Sequence, residues 1–356
     1  MSIDTLFSPL RLGALALPNR IVMPALTRMR AAPAGIPQQF SADYYAQRAS
    51  AGLIITEATA ITPQGHGYPQ MPGIHSFQQI EGWRRVVGEV HARGGRIVLQ
   101  IVHHGRWSHS SYNADGSLPV APSAIAPPGY AFMPSFAQEP YEVFRALETS
   151  ELRGIVAAFR RAANSARDAD FDGVEIHGAN GFLLDQFLQD GSNHRTDAYG
   201  GTIENRSRLL LEVVDDIIAD IGADRTAVRL SPHGNLGGLS DSDTVRHFGH
   251  VIGQLSKRGL AYLHLIEPRA SSVGLADDAS VDSANNAALF RHLYNGPIIT
   301  AGGYTTRMAI DVIGAGLADA VAFGRMFIAN PDLPERIFAG ANLNASDRKT
   351  AYGATD

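Results

Sequence analysis

The sequence contains no cysteine, and that absence removes several kinds of chemistry at once. There is no disulfide framework, no thiolate nucleophile, no Cys-ligated zinc and no ordinary iron–sulfur cluster. A reducing cytoplasm is the default home for such a chain. Concentrated basic charge is also lacking. The formal net charge is −5 with no block of Lys and Arg, which argues against a nucleic-acid or anionic-membrane surface. No apolar run approaches the roughly 18 residues of a membrane helix. The early segment LGALALP is too short for a signal-peptide core, and it runs straight into a Pro-Asn turn. Two familiar motifs are missing as well: no G-x-G-x-x-G follows the first strand pattern, and there is no H-E-x-x-H. His103 and His104 are adjacent and lack a third ligand at suitable spacing, so no metal is expected.

What is present is a repeating alternation. Short apolar, β-branched runs at 20–25, 52–58, 96–102, 173–179, 226–232, 261–267, 297–303 and 319–325 read as strands. Stretches of helical periodicity fall between them, among them 77–93, 150–169, 203–221 and 241–258. In the third of these, Leu209, Leu210, Val213, Val214, Ile217 and Ile218 recur at three-to-four spacing. Strands apolar on both faces and alternating with helices indicate a parallel sheet covered on both sides. Eight of them close a (β/α)8 TIM barrel, in 356 residues that show no linker to a second domain. The segment 103–149, rich in Pro, Ser, Ala and Tyr, is too long for an ordinary connection. It leaves the C-terminal end of the third strand and is expected to be a lid.

Barrel chemistry sits at the C-terminal strand ends. Those ends carry, in order, Thr27, Glu57-Ala58, Gln100, His177 with Asn180, Arg229 with Ser231, Glu267-Pro-Arg269, Gly302-Gly303 and Gly324-Arg325. The paired glycines let backbone N–H groups approach an anion, and Arg325 adds a guanidinium suited to phosphate. Gln100 and Arg229 suit the polar edge of a phosphorylated cofactor, and Thr27 can donate to a ring carbonyl. His177 and Asn180 form H-x-x-N, two donors able to converge on one carbonyl oxygen and stabilise charge developing there.

These residues, together with LFSPLRLGALALPNRIVMPALTRMRA, HARGGRIVLQIVHHGR, NHRTDAYGGTIENR, ITAGGYT and DAVAFGRMFIANPDLPER, run in order along almost the whole chain. They resemble the Old Yellow Enzyme family of FMN-dependent ene-reductases, in the branch that carries Thr at position 27. The resemblance implies FMN at the barrel mouth, with Pro24, Ala25 and Thr27 against the isoalloxazine ring and Ala58 and Gln100 on its pyrimidine side. Arg229 would take the ribityl chain and pyrimidine edge, and Gly303, Gly324 and Arg325 the phosphate. Hydride would pass from NADPH or NADH to the flavin and on to an activated alkene, an α,β-unsaturated carbonyl or nitro compound. His177 and Asn180 would anchor the substrate oxygen, while Tyr68, Val102 and Tyr352 line the pocket. A small-molecule enzyme of this kind is expected as a monomer or homodimer.

Two positions depart from the family pattern. Relatives usually read H-x-x-N-G-Tyr, with the Tyr hydroxyl protonating the substrate α-carbon; here the residue is Phe182. Losing a positioned general acid typically slows a reaction about 10²–10⁴-fold. Either water or another hydroxyl, such as Tyr68 or a lid tyrosine, supplies the proton, or the same fold and cofactor serve chemistry that needs none from this position. Quinone or nitro reduction, redox-neutral alkene isomerisation and desaturation are of that second kind. A flavin-binding module without turnover is a third reading, which the intact His177 and Asn180 anchor argues against. Val102 stands where relatives often carry Trp, and the smaller side chain implies a roomier, more apolar pocket for a bulkier substrate.

Overall fold

In the computed structural model, which describes residues 2–271, 276–277, 285–347 and 351–352, eight parallel strands close on themselves. They are β1 (Ile21–Met23), β2 (Leu53–Ile55), β3 (Ile97–Val102), β4 (Gly173–Gly178), β5 (Thr226–Leu230), β6 (Tyr262–Ile266), β7 (Ile298–Ala301) and β8 (Ala320–Ala322). Each pairs with the next, and β8 returns to β1 through Val321↔Ile21 and Ala322↔Val22. Closure leaves no open edge. The main helices that follow the successive strands are α1 (Gln39–Ala46), α2 (Phe77–Ala92), α3 (Thr149–Asp168), α4 (Ile203–Ile221), α5 (Thr244–Ser256), α6 (Asn286–Phe290), α7 (Thr306–Gly314) and α8 (Leu333–Ala339), with shorter ones such as Leu183–Leu188 in the loops. The (β/α)8 barrel expected from the sequence is the fold. Observed strands are shorter than expected, since residues such as Glu57 and Ala58 leave the ladder to build the loops at the mouth.

Local signals set the helix limits. Ser76 and Gln79 form a reciprocal capping box at the start of α2. Thr202 caps α4 by accepting from Asn205 N–H, and Gly222, at φ 89°, ends it.

Strand alternation divides the side chains between two environments. Ile21, Ile54, Ile97, Leu99, Ile101, Val174, Ile176, Val228, Leu230, Leu263 and Leu265 pack outward against the helices. Val22, Leu53, Ile55, Val98, Ala227, Tyr262, Ile299 and Ala320 point inward. Leu12, Leu15 and Leu17 join that inner cluster from an antiparallel hairpin, Leu10–Leu12 with Leu15–Leu17. Ala14 N–H donates to the Asp224 carbonyl just before β5, which ties the hairpin to the N-terminal end of the barrel. One end is therefore sealed with apolar side chains, each contributing about 1.5–3 kcal/mol by its burial. Chemistry is left to the other end.

Two segments frame that end. The stretch 103–149 holds a two-strand hairpin, Tyr130–Phe132 with Gln138–Pro140, and a parallel pair, Val120–Ala121 with Arg145–Ala146. The run 193–206 fastens it: Arg195 bonds the carbonyls of Pro122 and Leu147 and pairs with Asp197, and His194 N–H donates to Ser123 Oγ at 2.9 Å. The charges of that run thus hold loops together.

Candidate active site at the barrel mouth

Continuing upward from the apolar plug, the inward positions on four neighbouring strands turn polar. They are Gln100 on β3, Glu175 and His177 on β4, Arg229 on β5 and His264 on β6, all buried. The register places Gln100 beside Glu175, and Arg229 between His177 and His264. Inward positions on β7, β8, β1 and β2 remain aliphatic, including Ala301 and Ala322. The mouth thus has a polar half and an apolar half. Gln100 donates Nε2–H to Glu175 Oε1 at 2.7 Å, and Glu175 Oε2 lies 2.9 Å from His264 Nδ1. A carboxylate only accepts, so the Gln100 carboxamide is fixed with its oxygen away from Glu175. That buried oxygen has no partner among the described residues, nor has Arg229 Nε. An orphaned acceptor beside an orphaned cationic donor is what the edge of a flavin pyrimidine satisfies, with its single N–H flanked by carbonyls. The residues present fit FMN.

Around this floor runs a half-buried rim of Ala25, Thr27, Ala58, Gly302, Gly303, Gly324 and Arg325, with Pro24 buried just inside it. Gly302 and Gly303 have φ of 121° and 61°, backbone open to glycine but strained for a side chain. A Cβ on Gly302 would lie 2.9 Å from Ala270 Cβ. Arg269 stacks on Tyr304 at 4.3 Å and donates to the Gly302 carbonyl at 2.7 Å, fixing that turn from below.

At the tip of β4 the chain makes two successive left-handed residues, Asn180 (φ 57°) and Gly181 (φ 80°). Their N–H groups are both taken: Asn180 donates to Ser231 Oγ at 2.9 Å, and Gly181 to Asp185 Oδ2 at 2.9 Å. Ser231 Oγ in turn donates to Asp185 Oδ2 at 3.3 Å, and Gln189 Nε2 donates to Asp185 Oδ1 at 2.9 Å. A wholly buried carboxylate thus fixes the turn that presents Asn180. Burial pushes the Asp185 carboxyl up to about 6 against the pull of these hydrogen bonds. His177 Nδ1 accepts from Ala179 N–H at 3.3 Å, so its ring proton sits on Nε2 as a donor. Burial, then the Arg229 charge, hold its pKa well below the ordinary value, and the ring is neutral.

Phe182 is buried with its ring centroid 4.4 Å from that of His104, 4.8 Å from His177 and 6.5 Å from Tyr68. His104 is no acid, since its Nδ1–H is committed to the Gly65 carbonyl at 2.8 Å and burial holds its pKa at about 3. Tyr68 is the phenol among these rings. Burial, with Tyr352 close by, pushes its hydroxyl above the ordinary range, and burial does the same to the hydroxyls of Tyr112 and Tyr141 in 103–149. The ring of Phe132, from the same segment, lies 6.5 Å from Tyr68. Val102 is enclosed with Ala60, Met71 and Phe182, and Trp107 packs on that cluster. A Cβ on Gly181 would lie 2.8 Å from Trp107 Nε1, which explains the glycine there. Among the described residues no group of three or more His, Asp or Glu is placed to hold a metal.

Two polar strand ends prove to be anchors for loops. Glu57 accepts from Arg28 N–H at 2.9 Å, and burial pushes its carboxyl up to about 7. Glu267 accepts from Asn286 N–H at 2.6 Å, Thr300 Oγ1 at 2.6 Å and Tyr304 Oη at 3.0 Å. Conversely, Glu175, His264 and Asp185 were not singled out from the sequence. Their partners lie tens of residues away, and no local pattern marks them.

The profile of the NADH:flavin oxidoreductase / NADH oxidase family matches residues 5–344. The chain is 42% identical over 349 residues to 12-oxophytodienoate reductase 1 of Oryza sativa subsp. japonica, covering 98% of this chain and 89% of that one. Among solved structures it is similar to morphinone reductase in complex with tetrahydroNAD, with a TM-score of 0.92, 46% identity, and 99% and 95% of the two chains covered. It is likewise similar to the old yellow enzyme homologue from Zymomonas mobilis, with a TM-score of 0.92, 42% identity and coverage of 98% and 97%.

Proposed function

Because the chain belongs to the NADH:flavin oxidoreductase / NADH oxidase family, and within it to the Old Yellow Enzyme group of FMN-dependent reductases, we propose how its own residues carry out flavin-mediated alkene reduction. Bound FMN supplies a two-electron carrier that takes hydride from a nicotinamide and gives it to an activated alkene. NADH is the proposed reductant, a choice supported by the tetrahydroNAD complex of the similar morphinone reductase.

Gln100 Oε1 and Arg229 Nε, the orphaned pair of the polar half, take the pyrimidine edge. Pro24, Ala25, Thr27 and Ala58 bracket the ring, while Gly303, Gly324 and Arg325 hold the phosphate. Neutral His177, donating from Nε2, and Asn180, presented by the clamped turn, bind the carbonyl or nitro oxygen of the alkene and favour charge developing on it. Tyr68, Val102 and Tyr352 line the substrate side. The 103–149 segment acts as a lid that excludes water, since the Phe132 ring lies 6.5 Å from that of Tyr68, Tyr112 Oη donates to the Phe132 carbonyl at 2.7 Å and Tyr141 packs edge-on against Trp107. With Phe182 unable to donate, the Tyr68 hydroxyl delivers the proton to the α-carbon. The observation that carries this reading is the neutral His177 beside Asn180, two donors held at the tip of one strand.

Phe182 also supports a second reading. Quinones and nitro compounds take up protons on heteroatoms, and such acceptors would outrun enones at a site with no strong acid. Anaerobic reduction of the flavin with NADH, followed by 2-cyclohexen-1-one, separates the two. Recovery of the yellow colour with cyclohexanone formed supports alkene reduction. Flavin that stays bleached with the enone but recolours with a quinone supports the second reading.

A further inference from the structure

Glu175 is fully buried on β4, one inward layer deeper than His177, and no step proposed above uses it. Putting a carboxylate at zero exposure is expensive, and a neutral side chain would tie β3 to β6 equally well. Its ionised state follows from its partners. Burial alone would raise the carboxyl, but His264, Arg229 and Gln100 together hold it below its ordinary value. His264 is buried and neutral, so its Nδ1–H is the donor to Glu175. The layer therefore contains one anion, Glu175, and one cation, Arg229, with Gln100, His264 and Tyr262 uncharged around them.

We infer that Glu175 is a positioning residue for the flavin, one that fixes the Gln100 carboxamide oxygen outward and offsets the Arg229 charge so as to hold the flavin potential down. The inference rests on the FMN reading of the mouth. Its first half is a consequence of donors and acceptors. With a carboxylate at 175, Gln100 has one orientation, whereas a neutral partner permits both and leaves the outward atom uncommitted. The second half is electrostatic. Reduction places negative charge on the pyrimidine side of the ring, which Arg229 favours and Glu175 opposes across a buried, weakly screened layer. Removing the Glu175 charge leaves Arg229 unopposed, so the reduced form gains and the potential rises.

The test compares wild-type holoprotein with E175Q, which keeps the side chain's shape and removes its charge. Midpoint potentials are read by equilibration with a reference dye, and FMN dissociation constants by flavin fluorescence. E175Q is expected to favour reduced flavin by ten- to a hundredfold, about 30–60 mV for a two-electron couple, and to bind FMN about tenfold more weakly. Unchanged potential and affinity overturn the inference. If E175Q does not accumulate, E175D decides. It keeps the charge but cannot span Gln100 and His264, so the expected result is weakened FMN binding at near wild-type potential; wild-type affinity overturns the positioning role. Wild-type protein that binds no FMN at all overturns the underlying reading instead.

Discussion

Replacing Asp185 with Asn should make the protein more stable and the enzyme worse. Asp185 is wholly buried and its carboxyl is raised from 3.8 to about 6. The folded state therefore binds this proton more tightly than the unfolded chain. The group's contribution to stability is greatest below pH 3.8, falls as pH rises to about 6 and stays low above that. A gap of roughly two pH units corresponds to about 3 kcal/mol held against the native state at neutral pH. D185N removes that charge but sets an amide NH2 against Gln189 Nε2 or Gly181 N–H, a mismatch of about 1–2 kcal/mol. Net stabilisation of about 1–2 kcal/mol at pH 7 is expected in urea unfolding, vanishing near about pH 5 and turning into a net loss below it. The Asn180–Gly181 turn meanwhile loses its anionic clamp, and the KM for an enone should rise about tenfold, or about 1.4 kcal/mol of binding. Wild-type KM should climb as pH drops below 6 and the D185N value should not. A D185N protein that is less stable at pH 7 with unchanged KM would refute the reasoning.

Further outcomes follow from other contacts. Y68F should slow reoxidation of reduced flavin by an enone about 10²–10⁴-fold while leaving reoxidation by a quinone unaffected; equal rates for both variants with the enone would remove Tyr68 as donor. G302A places a Cβ 2.9 Å from Ala270 Cβ at φ 121°, and FMN titration should show at least a tenfold loss of affinity. Arg206, buried, bonds the Leu188 carbonyl and Asp241, and Asp241 Oδ2 also accepts from His247 Nδ1 at 2.8 Å. R206M should leave the Asp241 carboxylate with the His247 ring and the Asp243 N–H but no cation and lower unfolding stability by about 3 kcal/mol, and a loss under 1 kcal/mol would show that the network is not sustained in solution.

All eight strands were legible in the sequence because each is buried on both faces and so reads as a short apolar run. The H-x-x-N tip and the paired glycines were legible too, since their residue types are unusual at strand ends. Depth inside the barrel was not. Glu175 and His264 lie 89 positions apart and meet only through β5, so nothing local announces the pair. Asp185 sits in LLDQFL and reads as the polar face of a helix, yet it serves a turn behind it and Ser231 on another loop. Glu57 and Glu267 stood among the polar strand ends, and both satisfy backbone N–H groups that would otherwise be buried unpaired.

The central claim is that His177 and Asn180 activate the substrate by binding its oxygen. The most direct measurement is a single-turnover reoxidation of NADH-reduced enzyme by saturating 2-cyclohexen-1-one, comparing wild type with the H177A/N180A double variant. With flavin content and its reduction by dithionite unchanged, the enone step should slow by about 10²–10³-fold. A double variant that reoxidises at the wild-type rate would contradict the account.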